Sequence, residues 1–221
     1  MRDFPFFTTE FGVASLVLKE IPYRQEAYIR VQDVQPGQLR ELIEECASFC
    51  RMAGAERIYA MGHEDLEQFP VYTSVLEMRG EAWVDPGKLE NLFPVTEQTV
   101  ARWRQIYNER MKDVDNAGTL EKRDEEKILG SGGAYFVHRK GELLGIGWLD
   151  DCKLLAVASV MPGAGERVMP TLMSLVEGAS MTLEVASTNE RAIRLYEKLG
   201  FLKINEISRW FNLTKMKENN L

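Results

Sequence analysis

Two short stretches of this 221-residue chain carry residue types that could do chemistry. The first is Met161-Pro162-Gly163-Ala164-Gly165-Glu166-Arg167, lying between a strand-like run and a helical one. A helix N-terminus presents unpaired N–H groups and a partial positive charge, which together suit an anion. Glycines there let the backbone approach a phosphate with no side chain in the way. The second stretch is Asn189 to Phe201, reading N-E-R-A-I-R-L-Y-E-K-L-G-F. Tyr196 in it stays protonated at neutral pH, with an ordinary pKa of about 10, so it can donate a hydrogen bond or a proton.

The elements that must hold these residues follow from periodicity. Ala192, Leu195, Tyr196 and Leu199 recur at helical spacing and give one apolar face. Asn189 can cap that helix, and Gly200 sits where a left-handed stop is cheapest. A plain structural account of the same helix is a capped amphipathic segment whose Leu and Tyr merely pack. Upstream, 134–139, 142–149 and 153–160 read as three strands in close succession, joined through Lys140-Gly141 and Asp150-Asp151. Two helices precede them. One runs from a Thr96 cap to about Asp113, with Val100, Trp103, Ile106, Tyr107 and Met111 on its buried face. The other is charged and spans Thr119 to Leu129. Met181 to Ala186 and Lys203 to Leu213 complete the second half as strands, and the tail from Lys215 is polar and frayed.

The first half reads as strands at 12–21 and 27–34, broken at Pro22, then a helix from Pro36 to about Ala53. Leu39, Leu42, Ile43, Cys46, Phe49, Cys50 and Ala53 form its apolar stripe. Short strands follow at 57–61 and 71–78. A turn at Asp85-Pro86-Gly87 and a boundary between Lys88 and Phe93 divide the chain into 1–90 and 91–221. The first half also echoes the second. Val34-Gln35-Pro36-Gly37 lines up with Val160-Met161-Pro162-Gly163 at an offset of 160 − 34 = 126, and the same offset carries Ala60 onto Ala186. It places Asn189 on His63, Ala192 on Leu66 and Tyr196 on Pro70, so the first copy lacks the second copy's chemistry.

Composition narrows the function. A hydrophobic content of 45% is that of a globular protein, and a formal charge of −7 disfavours a general nucleic-acid binder. That charge is compatible with an amine-bearing substrate. No run approaches the roughly 20 apolar residues that span a bilayer, and Met1 to Pro5 carries no signal-peptide core. The cysteines are Cys46, Cys50 and Cys152, an odd count that points to reduced thiols and a cytoplasmic location. Cys46 and Cys50 face with the leucines of their helix and read as core. The two histidines, His63 and His138, lie too far off in sequence to suggest a metal site with them, and no metal is expected.

Asn189, Ala192, Tyr196, Gly200 and Phe201, behind a strand, form a pattern that resembles the last helix of the GNAT superfamily, the acyl-CoA-dependent N-acetyltransferases. From residue 94 onward the element order is helix, helix, three strands, helix, strand, helix, strand. That order is similar to the GNAT fold over roughly 94–213. The implied fold is α+β, a mixed, mostly antiparallel sheet flanked by helices. Residues 1–90 would form a partial GNAT-like half unit without the ligand motif, extending the sheet or shaping the acceptor cleft.

The resemblance implies acetyl-CoA as co-substrate and transfer of its acetyl group to an amine. The acceptor would be a small molecule or a peptide or protein amine, and the protein a monomer or homodimer with no nucleic-acid or membrane partner. It assigns Tyr196 as the acid that serves the departing sulfur. Backbone N–H groups of 157–160, including Ala158, Ser159 and Val160, would meet the thioester oxygen and the pantetheine arm, because that strand parts from its neighbour in this fold. Gly163, Ala164, Gly165, Arg167 and Val168 would cradle the pyrophosphate, with Asn189 and Ala192 along the same ligand. The phosphate loop departs from the family's usual Arg/Gln-x-x-Gly-x-Gly/Ala form, since Arg167 stands at the second glycine. An alkyl amine has a pKa of about 10.4, so a base must deprotonate it at neutral pH. Glu109, Asp150, Asp151 and Glu184 are candidates beside deprotonation through water. Tyr107, Asn108 and Glu109 lie where family members bind the acceptor, while Trp103 and Trp148 read as core. The other reading is a GNAT-fold protein that binds acyl-CoA or a partner without catalysis.

Overall fold

A computed structural model describes residues 5–81, 87, 89–176 and 178–216. The expected turn at Asp85-Pro86 and the tail beyond Met216 lie outside the described residues. Two compact units emerge, one of residues 1–74 with 208–221 and one of residues 75–207. The first holds β1 (Phe6–Thr8), β2 (Gly12–Val17), α1 (Ile21–Arg24), β3 (Glu26–Val34), α2 (Leu39–Met52) and β4 (Arg57–Met61). β5 (Val71–Glu81) starts in that unit and runs on into the second. The second unit continues with β6 (Asn91–Pro94), α3 (Val100–Met111), α4 (Asp124–Ser131), β7 (Ala134–Arg139), β8 (Glu142–Asp150), β9 (Lys153–Ser159), α5 (Gly165–Met173), β10 (Ser180–Ala186) and α6 (Glu190–Lys198). β11 (Leu202–Asn212) leaves the second unit and ends in the first.

In the first unit β1, β2 and β3 pair antiparallel, and β3 pairs parallel to β4. A parallel pair needs a crossover, and α2 supplies it. Its stripe of Leu39, Leu42, Ile43, Cys46 and Cys50 is buried with Ile29, Ile58 and Ala60. Phe211 and Leu213, from the far end of the chain, are in the same core, and Phe211 pairs with Ala60. The second unit repeats this plan. β7, β8 and β9 are antiparallel, β9 is parallel to β10, and α5 makes the crossover. Adding 126 carries β3 onto 152–160, α2 onto 165–178 and β4 onto 183–187, which fall on β9, α5 and β10. β5 pairs antiparallel with β10 from Ser180↔Glu81 to Ala186↔Val75. Each half of the chain therefore contributes a strand to the other half's unit.

Several expected boundaries move for local reasons. Pro22 does not merely break a strand. It sits in the first turn of α1, where its missing N–H is harmless. Thr96 does not cap α3; the N-cap is Thr99, and Thr96 builds the preceding turn by accepting at its carbonyl from Val100 N at 2.9 Å. The charged helix begins at Asp124, because Asn108 Oδ1 and Nδ2 clamp the N–H and C=O of Leu120 in a loop, each at 2.9 Å. Pro170 falls inside α5. β1 and β6 are too short and irregular in pattern to stand out from sequence. No helix among the described residues is long and apolar enough to cross a membrane.

Candidate active site

The feature that opens the site is a parting of strands. β9 reaches Ser159 and β10 reaches Ala186, yet they pair only at Lys153↔Thr182 and Leu154↔Leu183. Beyond Leu154, β9 keeps β8 as partner on its other edge, from Trp148↔Ala156 to Gly145↔Ser159. Val160 N donates to Leu144 O at 2.9 Å, so alternation turns the N–H groups of Ala158 and Ala156 toward β8 as well. The N–H groups of Val157 and Ser159 then face the opened side. Those two, not Val160, are the strand donors available to a ligand.

A cavity of about 540 Å³ follows the parting, within the second unit. Its floor includes Val157, Ala158 and Ser159. One end is Met161, Pro162, Gly163 and Gly165; one wall is α6 with Asn189, Ala192, Leu195 and Tyr196. α6 is built as its sequence demands. Asn189 Oδ1 accepts from Ala192 N at 3.2 Å, and Gly200 closes the helix at φ +88°. Phe201, fully buried, donates from its N–H to Tyr196 O at 2.9 Å. α5 and α6 meet so closely at Gly165 that a Cβ there would stand 2.7 Å from Leu195 Cδ2.

Tyr196 is 7% exposed and lines the cavity. Among the described residues its hydroxyl has no hydrogen-bond partner. Burial pushes its pKa up to about 12, so the phenol is firmly protonated at neutral pH. The intact phenol is a hydrogen-bond donor on the cavity lining.

The structure brings Ala158, Ser159, Gly163, Gly165, Asn189, Ala192 and Tyr196 to the cavity wall. It places Ala164 and Val168 in the core beneath, and Val160 at the edge with its carbonyl accepting from Arg110 at 2.8 Å. Arg167 turns to Glu90, its guanidinium donating to Oε1 at 2.9 Å, while Arg139 stands 3.6 Å from the same oxygen. The candidate bases stay off the cavity wall. Glu184 pairs with Lys153, Asp151 occupies a tight turn at φ +53°, and Glu109 and Asp150 are exposed. Tyr107 stacks on Trp103, and Asn108 holds Leu120. Trp103 and Trp148 are core residues whose indole N–H groups donate to Tyr135 O and Ser131 Oγ.

The cavity also gathers cations that the phosphate-loop and α6 motifs do not include. Arg110, Arg191, Arg194 and Lys198 all line the cavity, against one carboxylate, Glu166. The signal was present, since residues 191, 194 and 198 share one face of α6 by helical spacing. In a chain of net charge −7, this gathering marks a site for an anionic ligand.

The profile of the acetyltransferase (GNAT) family matches residues 87–201, more than half of the chain. The chain belongs to the GNAT acetyltransferase family. Solved structures share its fold at low identity. A GNAT-family acetyltransferase from Colwellia psychrerythraea is 10% identical, with 94% of this chain and 84% of that one covered at a TM-score of 0.52. A functionally unknown conserved protein from Staphylococcus epidermidis is 11% identical over 96% and 94% of the two chains, at 0.58. A GCN5-related N-acetyltransferase from Kribbella flavida is 11% identical over 93% of this chain and 58% of that one, at 0.55. No curated protein matches the chain. Family and fold together support acyl transfer in general.

Proposed function

We propose that this GNAT protein is an N-acetyltransferase that moves an acetyl group from acetyl-CoA to an amine, small or peptide-borne. The observation that carries the reading is Tyr196, a buried residue that lines a cation-lined cavity beside parted strands and whose hydroxyl has no partner among the described residues. The thioester supplies an activated acetyl group. Val157 and Ser159 N–H groups donate to its oxygen as that atom gains charge. The neutral amine forms the new C–N bond as the C–S bond breaks, and the amine's proton leaves through water or a base. Tyr196 donates a hydrogen bond to the sulfur as it acquires charge. Gly163 and Gly165 admit the pyrophosphate, with Arg110 and the α6 cations as counter-charge. Asn189 both caps α6 and faces the pantetheine arm. Residues 1–90 act as a partial GNAT-like unit without a donor site.

Two measurements test this reading. Isothermal titration with acetyl-CoA should give saturable heat, and none at high micromolar ligand removes the donor. A thiol-release assay over an amine panel should find an acceptor, and Tyr196→Phe should lower its kcat by about 10- to 100-fold. Unchanged turnover would remove Tyr196 from the chemistry. Arg167's attachment to Glu90 and the position of Glu109, Asp150, Asp151 and Glu184 off the cavity wall favour a second reading, an acyl-CoA-binding protein without turnover. Binding without thiol release across the panel would select it.

A further inference from the structure

We propose that Lys198 is a ligand for the pyrophosphate of the donor, and that Glu166 occupies that ammonium until the donor arrives. The inference rests on the acetyl-CoA reading above. α5 starts at Gly165, and helices of this kind leave their first N–H groups without intrahelical acceptors. A phosphate set there needs a cation as well, because the N–H groups alone neutralise little of its charge. The cation that the sequence offers, Arg167, is held by Glu90, whose side chain is 9% exposed. It does not line the cavity.

Lys198 does line it, from the last position of α6. Its Nζ donates to Glu166 Oε1 at 2.7 Å. Glu166 is the second residue of α5, so this contact holds the ammonium at that helix's N-terminus. The carboxylate is itself an anion at a helix N-terminus, in the place a phosphate would want. The Lys198 hydrogen bond holds its carboxyl below the ordinary range, so it is ionised at neutral pH. Both side chains are mostly exposed, 64% and 59%, and an exposed pair of this kind is only weakly held. A pyrophosphate, with more charge and several acceptor oxygens, outcompetes a single carboxylate for the same ammonium. The exchange makes Glu166 a determinant of donor affinity and of how readily the spent carrier leaves. Tyr196, 7% exposed and with no hydroxyl partner among the described residues, lines the same cavity and is an independent sign that it takes a ligand.

The test is isothermal titration of the full chain with CoA and with dephospho-CoA at fixed ionic strength. Glu166→Gln should tighten both ligands by about threefold, and Lys198→Gln should weaken both by about tenfold. Both ligands respond because they share the pyrophosphate. Glu197→Gln makes the same charge change on exposed α6 surface outside the cavity wall, and should leave both affinities within experimental error. Unchanged or weaker binding in Glu166→Gln overturns the proposal. So does an Lys198→Gln effect confined to CoA, or an equal tightening in Glu197→Gln. No heat with the wild-type chain removes the donor reading itself, whereas wild-type binding with unresponsive variants removes only this inference.

Discussion

Tyr196 shows how environment sets what one side chain can do. The same residue type on a surface would titrate near its ordinary value. Buried in the cavity wall, it has its pKa pushed up to about 12. The neutral phenol is the form that donates, so the useful state persists through the whole range in which an acceptor amine becomes neutral. The pH profile of kcat/KM should therefore rise with amine deprotonation from about pH 7 to 10. It should show no falling limb from Tyr196 below about pH 11. A descending limb near pH 9 that vanishes in Tyr196→Phe would mean that the phenol is far more acidic than its burial dictates. Asn189 illustrates a different economy. Its amide oxygen satisfies Ala192 N, so Asn189→Ala should destabilise α6 by about 1 kcal/mol, measured by urea unfolding, whatever its contact with ligand.

At the scale of elements, the second half of the chain was legible because its signals are local and redundant. α6 carries a cap, an apolar stripe and a glycine stop within 12 residues, and each is found where the sequence puts it. The parting of β9 from β10 was foreseen only through family resemblance, since no spacing in Val157 to Val160 reveals where a neighbouring strand diverges. The diversion of Arg167 was not legible at all, because its partner Glu90 lies 77 residues away. The α6 cations share a face by helical spacing, but exposed charge on a helix usually means only a solvated face. Long-range packing also decides a glycine in β5. A Cβ on Gly80 would stand 2.8 Å from Cδ2 and Cγ of Phe201, whose ring is fully buried. Gly80→Ala should cost about 1–3 kcal/mol by urea unfolding, because neither the strand nor the buried ring can yield freely. A loss under 0.3 kcal/mol would show that the ring has room to move.

At the scale of the whole molecule, a strand–crossover–strand plan occurs in each unit, with different surroundings. The second unit keeps the parted strands and the cationic helix. In the first, a short 3-10 turn, Glu64–Gln68, stands where α6 would be, with His63 Nδ1 accepting from Asp65 N as its cap. What the first unit buries instead is protonated acid groups. Burial pushes the thiols of Cys46 and Cys50 up to about 12, and raises the Tyr28 phenol, which donates to Glu26 at 2.8 Å. All three are neutral when folded. In an unfolded chain the thiols would ionise near pH 8.5 and the phenol near pH 10. Above about pH 8.5 the folded state therefore holds protons that the unfolded state has released, and stability must fall as pH rises toward 12. Below that pH the contribution is fully present and flat. Urea midpoints should drop steadily between pH 8.5 and 10.5, and replacing both cysteines, Cys46→Ala with Cys50→Ala, should lower stability at pH 7 while making the alkaline decline shallower. The slope separates ionisation from the loss of packing, because the cavities left by alanine do not titrate. An equally steep decline in the double variant would exclude the thiols as its source and leave it to the phenols.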